Sequence, residues 1–505
     1  MSSDLFRVKN IDRLLSDADQ PERRLKKTLG WISLTALGVG AIIGTGIFIL
    51  TGTAAAGEVV EYPSILKAPV LQVILYGHRA AGASGRPGAG PAIALSFALV
   101  AVVCGFAALC YAELASMIPI AGSAYTYTYA TLGELVAWII GWDLILEYAV
   151  SNMAVAVGFS AYVDSLLGTF GIHLPASISN PAYSPDSGWH MNFNVVGFLV
   201  VMLLTVLLVF GIRESAEANT VMVGIKLVAI LVFVFAASKY IHPANWKPFM
   251  PNGWQGVLTG GAIVFFTYIG FDSVSTAAEE CRNPKRDLPL GILFSLLICT
   301  VFYVGVAIVL TGIQPWQSLR NAAPVANALE AIGLPRVEQW VTVGALMGMI
   351  SSLLVFQLGQ ARVWFSMSRD GLLPRAFSRV HPKFRTPDVA TWIAGVFVGI
   401  PAGIFDIGTL ADLSNIGTLF AFVLVSLAVL ILRRTQPDRP RGFRVPFVPV
   451  LPILSMLCCL ILMAGLTLEN WIRFFVWLII GLVIYFAYSR KRSVLGIEER
   501  AGARL

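Results

Sequence analysis

The sequence predicts an all-helical (all-α) protein that crosses a membrane twelve times. Three observations carry this. The 505-residue chain is 57% hydrophobic and 13% charged, with a mean hydropathy of +0.76, whereas soluble domains carry about 25% charged residues. Its apolar residues gather into twelve runs of about 20, the length that spans a bilayer. Two of those runs, the first and the sixth, are interrupted by glycine and polar residues.

The runs lie at 30–55, 90–116, 133–167, 194–211, 217–239, 255–279, 288–312, 338–367, 389–405, 408–432, 448–468 and 470–489. With the N-terminus inside, 26 of the 36 Lys and Arg fall on the inner side and 8 on the outer, counting Lys239 and Arg473 at the outer ends of their spans, while Lys226 and Arg362 lie deeper within spans. This fits the positive-inside rule with both termini cytoplasmic. The net charge of +7 is then topogenic, and no nucleic-acid partner is expected. Residues 1–29 form an inner tail, with Arg23, Arg24, Lys26 and Lys27 next to the first span. They read as a topogenic anchor or, alternatively, an amphipathic surface helix. No short apolar core with a cleavage site precedes span one, so no cleaved signal peptide is expected. Residues 30–489 read as one transmembrane domain, and 490–505 as a second inner tail.

The outer segments 56–89 and 168–193 read as irregular loops, the first rich in Gly, Ala and Pro, the second holding His173, Pro175, Pro181 and Pro185. The inner loops 280–287, 368–388 and 433–447 hold basic runs, read as solvated or headgroup-facing. The six cysteines (Cys104, Cys110, Cys281, Cys299, Cys458, Cys459) lack metal-ligand spacing and read as buried, inert thiols. No Asn-x-Ser/Thr acceptor occurs in the outer loops, which points to a prokaryotic inner membrane.

Span one contains Gly38-Val-Gly-Ala-Ile-Ile-Gly-Thr-Gly-Ile-Phe48. Glycine costs a helix interior about 1 kcal/mol relative to alanine. Hydrocarbon offers backbone amides no partner, so such a cluster suggests a helix that opens inside the protein. Amides near Gly44, Thr45 and Gly46 would then meet a carboxylate. The carbonyls of Ile42 and Ile43 would face an ammonium group. The competing reading is close helix packing through Gly40 and Gly44. Span six contains Phe265-Phe-Thr-Tyr-Ile-Gly-Phe-Asp-Ser-Val-Ser275. An opening between Thr267 and Gly270 would present the carbonyls of Phe266 and Ile269. The Phe266 ring is a candidate gate over a bound ligand, against the plain alternative of core or lipid packing. Broken spans at matching positions point to inverted repeats with a site between them. Residues 30–239 form the first repeat and 255–432 the second, and 448–489 lies outside both.

Three further residues stand out. Lys226 sits in span five, where a lysine costs ~2.5–3.5 kcal/mol on the insertion scale. It marks an ion path or, alternatively, snorkels to the inner surface. Asp143 and Glu147 in span three are spaced i, i+4 and share a helical face. Two acids on one face inside a membrane could bind a cationic side chain or relay protons; Glu147, one turn deeper, is the stronger candidate, and Asp143 has the alternative of an inner-interface residue. Glu113, Arg362, Glu279 and Glu280 read as structural or interfacial. No Walker A sequence, His-Glu-x-x-His or Gly-x-Ser-x-Gly elbow is present, so the chain is not expected to be an enzyme or a nucleotide-driven pump.

The chain resembles the amino acid–polyamine–organocation (APC) transporters, most of all their cationic amino acid transporter subfamily. Three passages carry the resemblance: Gly38 to Phe48, Gly270 to Pro284, and Ser368-Arg-Asp-Gly-Leu-Leu-Pro374 continuing to Val380-His-Pro-Lys-Phe-Arg-Thr-Pro387. It covers nearly the whole chain except 56–89. It implies the LeuT-like five-plus-five inverted-repeat fold with two added helices, and an amino acid backbone held by the broken helices. It also implies that Lys226 stands where sodium-driven relatives place sodium, so the coupling ion is H+ and no cofactor is needed. Glu147 matches an acid facing the side-chain pocket and invites Arg or Lys. The bulky stretch Leu353-Leu-Val-Phe-Gln357 in span eight instead favours small substrates such as alanine, since a methylene misfit is worth about 1–3 kcal/mol. The reading is a proton symporter importing L-amino acids. An amino acid exchanger, a nutrient receptor and a sodium symporter are its rivals. Its partners are the amino acid and the lipid bilayer; its oligomeric state is open, with a monomer compatible.

Overall fold

The computed structural model describes residues 5–18, 27–58, 64–77, 86–184, 188–210, 213–321, 323–384 and 386–502. Arg23, Arg24 and Lys26 of the expected anchor, residues 59–63 and 78–85 of the first outer segment, and Pro185 of the second lie outside the described residues. Each of the twelve apolar runs has a helical counterpart. They are α1 (Trp31–Ile42) with α2 (Thr51–Ala56), α3 (Ile93–Met117), α4 (Glu134–Gly168), α5 (Val195–Phe210), α6 (Arg213–Ala237), α7 (Gly253–Val264), α8 (Pro284–Ile313), α9 (Pro335–Arg369), α10 (Asp388–Ile404), α11 (Ile407–Thr435), α12 (Val450–Ala464) and α13 (Leu468–Ile484). Among the described residues, eight helices are long and apolar enough to cross a bilayer, and the bent pair 31–42 and 46–56 makes a ninth. The remaining three, α5, α10 and α12, are shorter apolar helices.

Burial sorts the helix faces. On α6 the buried positions Asn219, Val223, Lys226, Ile230 and Phe233 recur every three or four residues. Val221, Ile225, Val228, Val232 and Phe235 are exposed between them. One stripe therefore faces protein and the other faces lipid. Packing follows from such stripes: α8 lies against α3 and α1, α9 against α4 and α6, and α11 against α4. The two-residue strand pairs Gly57–Glu58 with Arg86–Pro87 and Tyr183–Ser184 with Gly188–Trp189 are local clips in the outer segments.

The two chain ends meet on one face. Arg7 is ion-paired with Glu499, Lys9 reaches Asp370 at 2.8 Å, and Val494 N donates to Asp370 O at 3.1 Å. An even number of crossings is the topology compatible with that meeting.

Both predicted interruptions are present. The first falls at Ile43, whose φ of −82° and ψ of 85° make an inverse γ-turn. Gly44 N turns back to Ile42 O at 3.0 Å instead of continuing the ladder. The chain resumes as π-helix over Gly46–Leu50, and the two halves bend by 42°. The second runs from a 3₁₀ turn, Phe265–Tyr268, through extended Ile269 to Gly270 at φ +123°. A nine-residue 3₁₀ helix, Asp272–Glu280, follows. Runs of 3₁₀ longer than three or four residues are uncommon and often mark a hinge.

Candidate functional site

The two interruptions touch. A Cβ on Gly270 would lie 2.7 Å from Ala41 Cβ and 3.1 Å from the Ala41 carbonyl carbon. A Cβ on Gly46 would lie 2.6 Å from Thr267 Cγ2. Glycine at these positions lets the two broken backbones cross. The Tyr303 hydroxyl on α8 lies 2.8 Å from Ile42 O and 2.7 Å from Thr267 O, bridging one break to the other.

The other glycines of the Gly38–Phe48 cluster are packed. Gly38 faces Ser295, Gly40 faces Ser351 and Asn219, and Gly44 faces Ser352, each closer than a Cβ would permit. Close packing and opening, posed as alternatives from the sequence, therefore coexist: the glycines seat α1 against α6, α8 and α9, and the backbone breaks at 43–44. Ser352 Oγ donates to Ala41 O at 2.9 Å, and Ser351 Oγ pairs with Asn219 Oδ1 at 2.7 Å.

Lys226 is buried and its ammonium nitrogen points at the first break. Nζ lies 2.9 Å from Val39 O, 3.0 Å from Gly40 O and 2.9 Å from Ile43 O. This geometry does not match the snorkelling alternative. An ammonium has three N–H donors, and here each has a carbonyl. Hydrogen bonds to a charged donor contribute about 1.5–3 kcal/mol each, so three outweigh an insertion cost of ~2.5–3.5 kcal/mol. The Gly40 carbonyl is available because its usual helical partner, Gly44 N, has turned to Ile42.

One expected ligand contact departs from the sequence reading. Ile42 O accepts from both Gly44 N and Tyr303, so its lone pairs are spoken for and it does not face an open ammonium site. For the same reason the Gly44 amide is internally bonded rather than bare. Ile43 O has one lone pair beyond its bond to Lys226. Phe266 O accepts from Ile269 N at 3.3 Å, and the Phe266 ring is buried in the turn just before the break. The carbonyl of extended Ile269 leaves the helical direction. Thr45 Oγ1 is buried and has no hydrogen-bond partner among the described residues.

The acids of span three point inward on α4. Glu147 and Asp143 are buried, and among the described residues all four of their carboxylate oxygens lack a hydrogen-bond partner. Among the described residues, Asp272 and Asp143 are the charged groups that act on Glu147. Asp143 is buried in protein, and Gly417 of α11 packs directly on its carboxylate. Tyr148 donates to Asp272 Oδ2 at 2.8 Å, which ties α4 to the second break, and Gly270 N donates to Asp272 Oδ1 at 3.2 Å. The Tyr148 ring also meets Phe356 of α9, with centroids 6.1 Å apart.

Acids and bases expected to be structural form ties on the face that carries the chain ends. Glu113 accepts from Arg433 at 2.8 and 2.7 Å and from Arg441 at 3.0 Å. Arg362 reaches Glu280 at 2.5 Å and Arg369 reaches Glu279 at 3.5 Å. Thr28 N and Leu29 N donate to Glu280 O, and Arg282 N donates to Leu29 O. The lower halves of both broken helices are strapped together there.

Sequence reasoning missed Tyr303, Asn219, Ser351, Ser352 and the anchoring role of Asp272. Asn219 carried a usable signal, seven residues before Lys226 on the same helical face. The paired serines in an apolar run were another. Nothing in the sequence singled out Tyr303.

Comparison with known proteins gives consistent results. The family model described as amino acid permease matches residues 29–486. The branched-chain amino acid permease BcaP of Bacillus subtilis (strain 168) is 47% identical over 496 residues, 98% of this chain and 100% of the relative. The methylthioribose transporter of the same organism is 43% identical over 493 residues, 98% of this chain and 99% of the relative. The vacuolar cationic amino acid transporter 4 of Arabidopsis thaliana is 36% identical over 441 residues, covering 86% of this chain and 68% of the relative.

Proposed function

The chain belongs to the amino acid permease family of the APC superfamily, multi-pass membrane transporters of amino acids and not enzymes, and from that premise we propose a proton-coupled importer of L-amino acids working by alternating access. The observation that carries this reading is Lys226 with its three carbonyl acceptors at the first break. A neutral amine has two N–H donors and a lone pair. Losing the proton removes one bond and sets that lone pair against a carbonyl oxygen. The grip of α6 on α1 thereby depends on the proton, which gives the two protonation states different preferences for the open and closed break. Such a difference is what coupling requires.

In this proposal the fold is the twelve-span, five-plus-five inverted repeat, with 30–239 and 255–432 as the repeats and both tails cytoplasmic. The substrate carboxylate meets the amides of the Gly44–Thr45–Gly46 turn and the unpartnered Thr45 hydroxyl. Gly44 N is freed for it when the γ-turn opens. The substrate ammonium takes the spare lone pairs at Ile43, Phe266 and Ile269, and the Phe266 ring closes over it.

For the side chain we favour uncharged, alanine-sized to branched aliphatic groups. The packed Tyr148–Phe356 wall supports this, as do branched-chain permeases at 47% and 34% identity. A cationic side chain is the second reading, supported by unpartnered Glu147. Thermal stabilisation across amino acids and methylthioribose separates these, since a true ligand at 100 times its Kd adds about 2.7 kcal/mol. Stabilisation by alanine, valine, leucine or isoleucine is expected; a response to arginine and lysine alone moves the assignment to the second reading. Proteoliposomes with an inward proton gradient complete the test. Counterflow without accumulation would instead identify an exchanger, and binding without flux a receptor.

A further inference from the structure

Outside the central site, one feature pairs an apolar groove with a basic loop. The groove, about 540 Å³, runs along a single face of α10 and is lined by Trp392, Ile393, Val396, Phe397, Ile400 and Pro401. From Trp392 to Ile400 it extends for ~12 Å at 1.5 Å per residue. Its lining offers hydrocarbon almost alone. The chain entering α10 is the basic segment that follows α9, on the face where the chain ends meet. Its 3₁₀ turn Arg375–Ser378 is fastened to the groove through aromatic rings. Phe377 lies 5.1 Å from Trp364 of α9, and Trp364 lies 6.2 Å from Phe397 in the groove wall. Arg375, Arg379 and Lys383 are exposed. Among the described residues neither arginine has a carboxylate partner, and Asp388 is the acid that opens α10.

We infer that this site binds one anionic glycerophospholipid, its phosphate against Arg375 and Arg379 and one acyl chain along the α10 groove. The charge sign selects the headgroup, and the purely apolar lining selects the chain. Basic side chains at the membrane surface attract anionic lipid by about 1 kcal/mol each, so two arginines give a preference of about thirtyfold. The inference rests on membrane embedding and not on the choice of substrate.

Native mass spectrometry and melting of the full chain in detergent, with added phosphatidylglycerol or phosphatidylcholine of identical chains, test it. Retention of one phosphatidylglycerol at roughly thirtyfold lower lipid concentration than phosphatidylcholine is expected. The double variant R375Q/R379Q should bind both lipids alike, and Val396→Trp should weaken retention of both by filling the groove. Unchanged melting in phosphatidylcholine shows that the variants are folded. Equal retention of the two lipids by the native chain overturns the inference, as does a preference that survives R375Q/R379Q. A dimer mass that Val396→Trp abolishes also overturns it, because the groove would then belong to a second copy.

Discussion

Replacing Lys226 with methionine keeps an unbranched apolar stem one atom shorter and removes its three donors. Val39 O retains the helical bond from Ile43 N at 3.0 Å. Gly40 O does not, because Gly44 N is bonded to Ile42 O. At least one buried carbonyl is therefore stranded, at a cost of about 1–3 kcal/mol. That cost falls on the conformation with the break held as seen here. The coupling consequence is larger and separable. A gradient of one pH unit supplies about 1.4 kcal/mol per proton, so one-to-one symport accumulates substrate about tenfold. In proteoliposomes with an inward gradient of one unit, native protein should approach that ratio. Lys226→Met should equilibrate substrate at a ratio near one while still exchanging labelled for unlabelled amino acid. Accumulation near tenfold by Lys226→Met would refute the role given to the ammonium, however well the geometry of its bonds fits.

Three further outcomes are expected. Gly270→Ala places a side chain at φ +123° and a Cβ 2.7 Å from Ala41 Cβ, so strain of about 1–3 kcal/mol plus the clash should lower the melting temperature and abolish uptake; Gly261→Ala, whose nearest neighbour is Val100 at 3.5 Å, should keep both. Tyr303→Phe removes the bridge between Ile42 O and Thr267 O, which should cost about 1–2 kcal/mol and raise the substrate KM in uptake assays while exchange persists. Glu113→Gln leaves the buried Arg441 guanidinium without its counter-charge, so melting should fall by the equivalent of about 3 kcal/mol, with the accumulation ratio of the surviving protein unchanged.

Much of this was legible in the chain. Helix positions follow from hydrocarbon, which leaves a spanning segment little choice but an internally bonded helix of about 20 residues. The breaks were legible because glycine and polar residues are costly in that setting and so mark places where the rule is suspended. Lys226 and Glu147 were legible for the same reason. Less visible was what each polar group would touch. The spacing of Asp143 and Glu147 set a common face on α4 but not its direction, and the structure turns that face into protein, with Gly417 of α11 against Asp143. The Ile42 carbonyl was expected to be open. A tyrosine 261 residues away occupies it instead, a contact that no local pattern encodes.

The amino-acid order by itself determined a helical membrane protein, where its helices lie and which two of them are interrupted, because those properties follow from local hydropathy and backbone propensity. Only the tertiary structure decided that the two interruptions cross at Gly270 and Gly46, that Tyr303 joins them, and that Lys226 closes on three carbonyls of α1. Those contacts depend on directions between helices, which packing of whole faces fixes and which short-range sequence patterns leave undetermined.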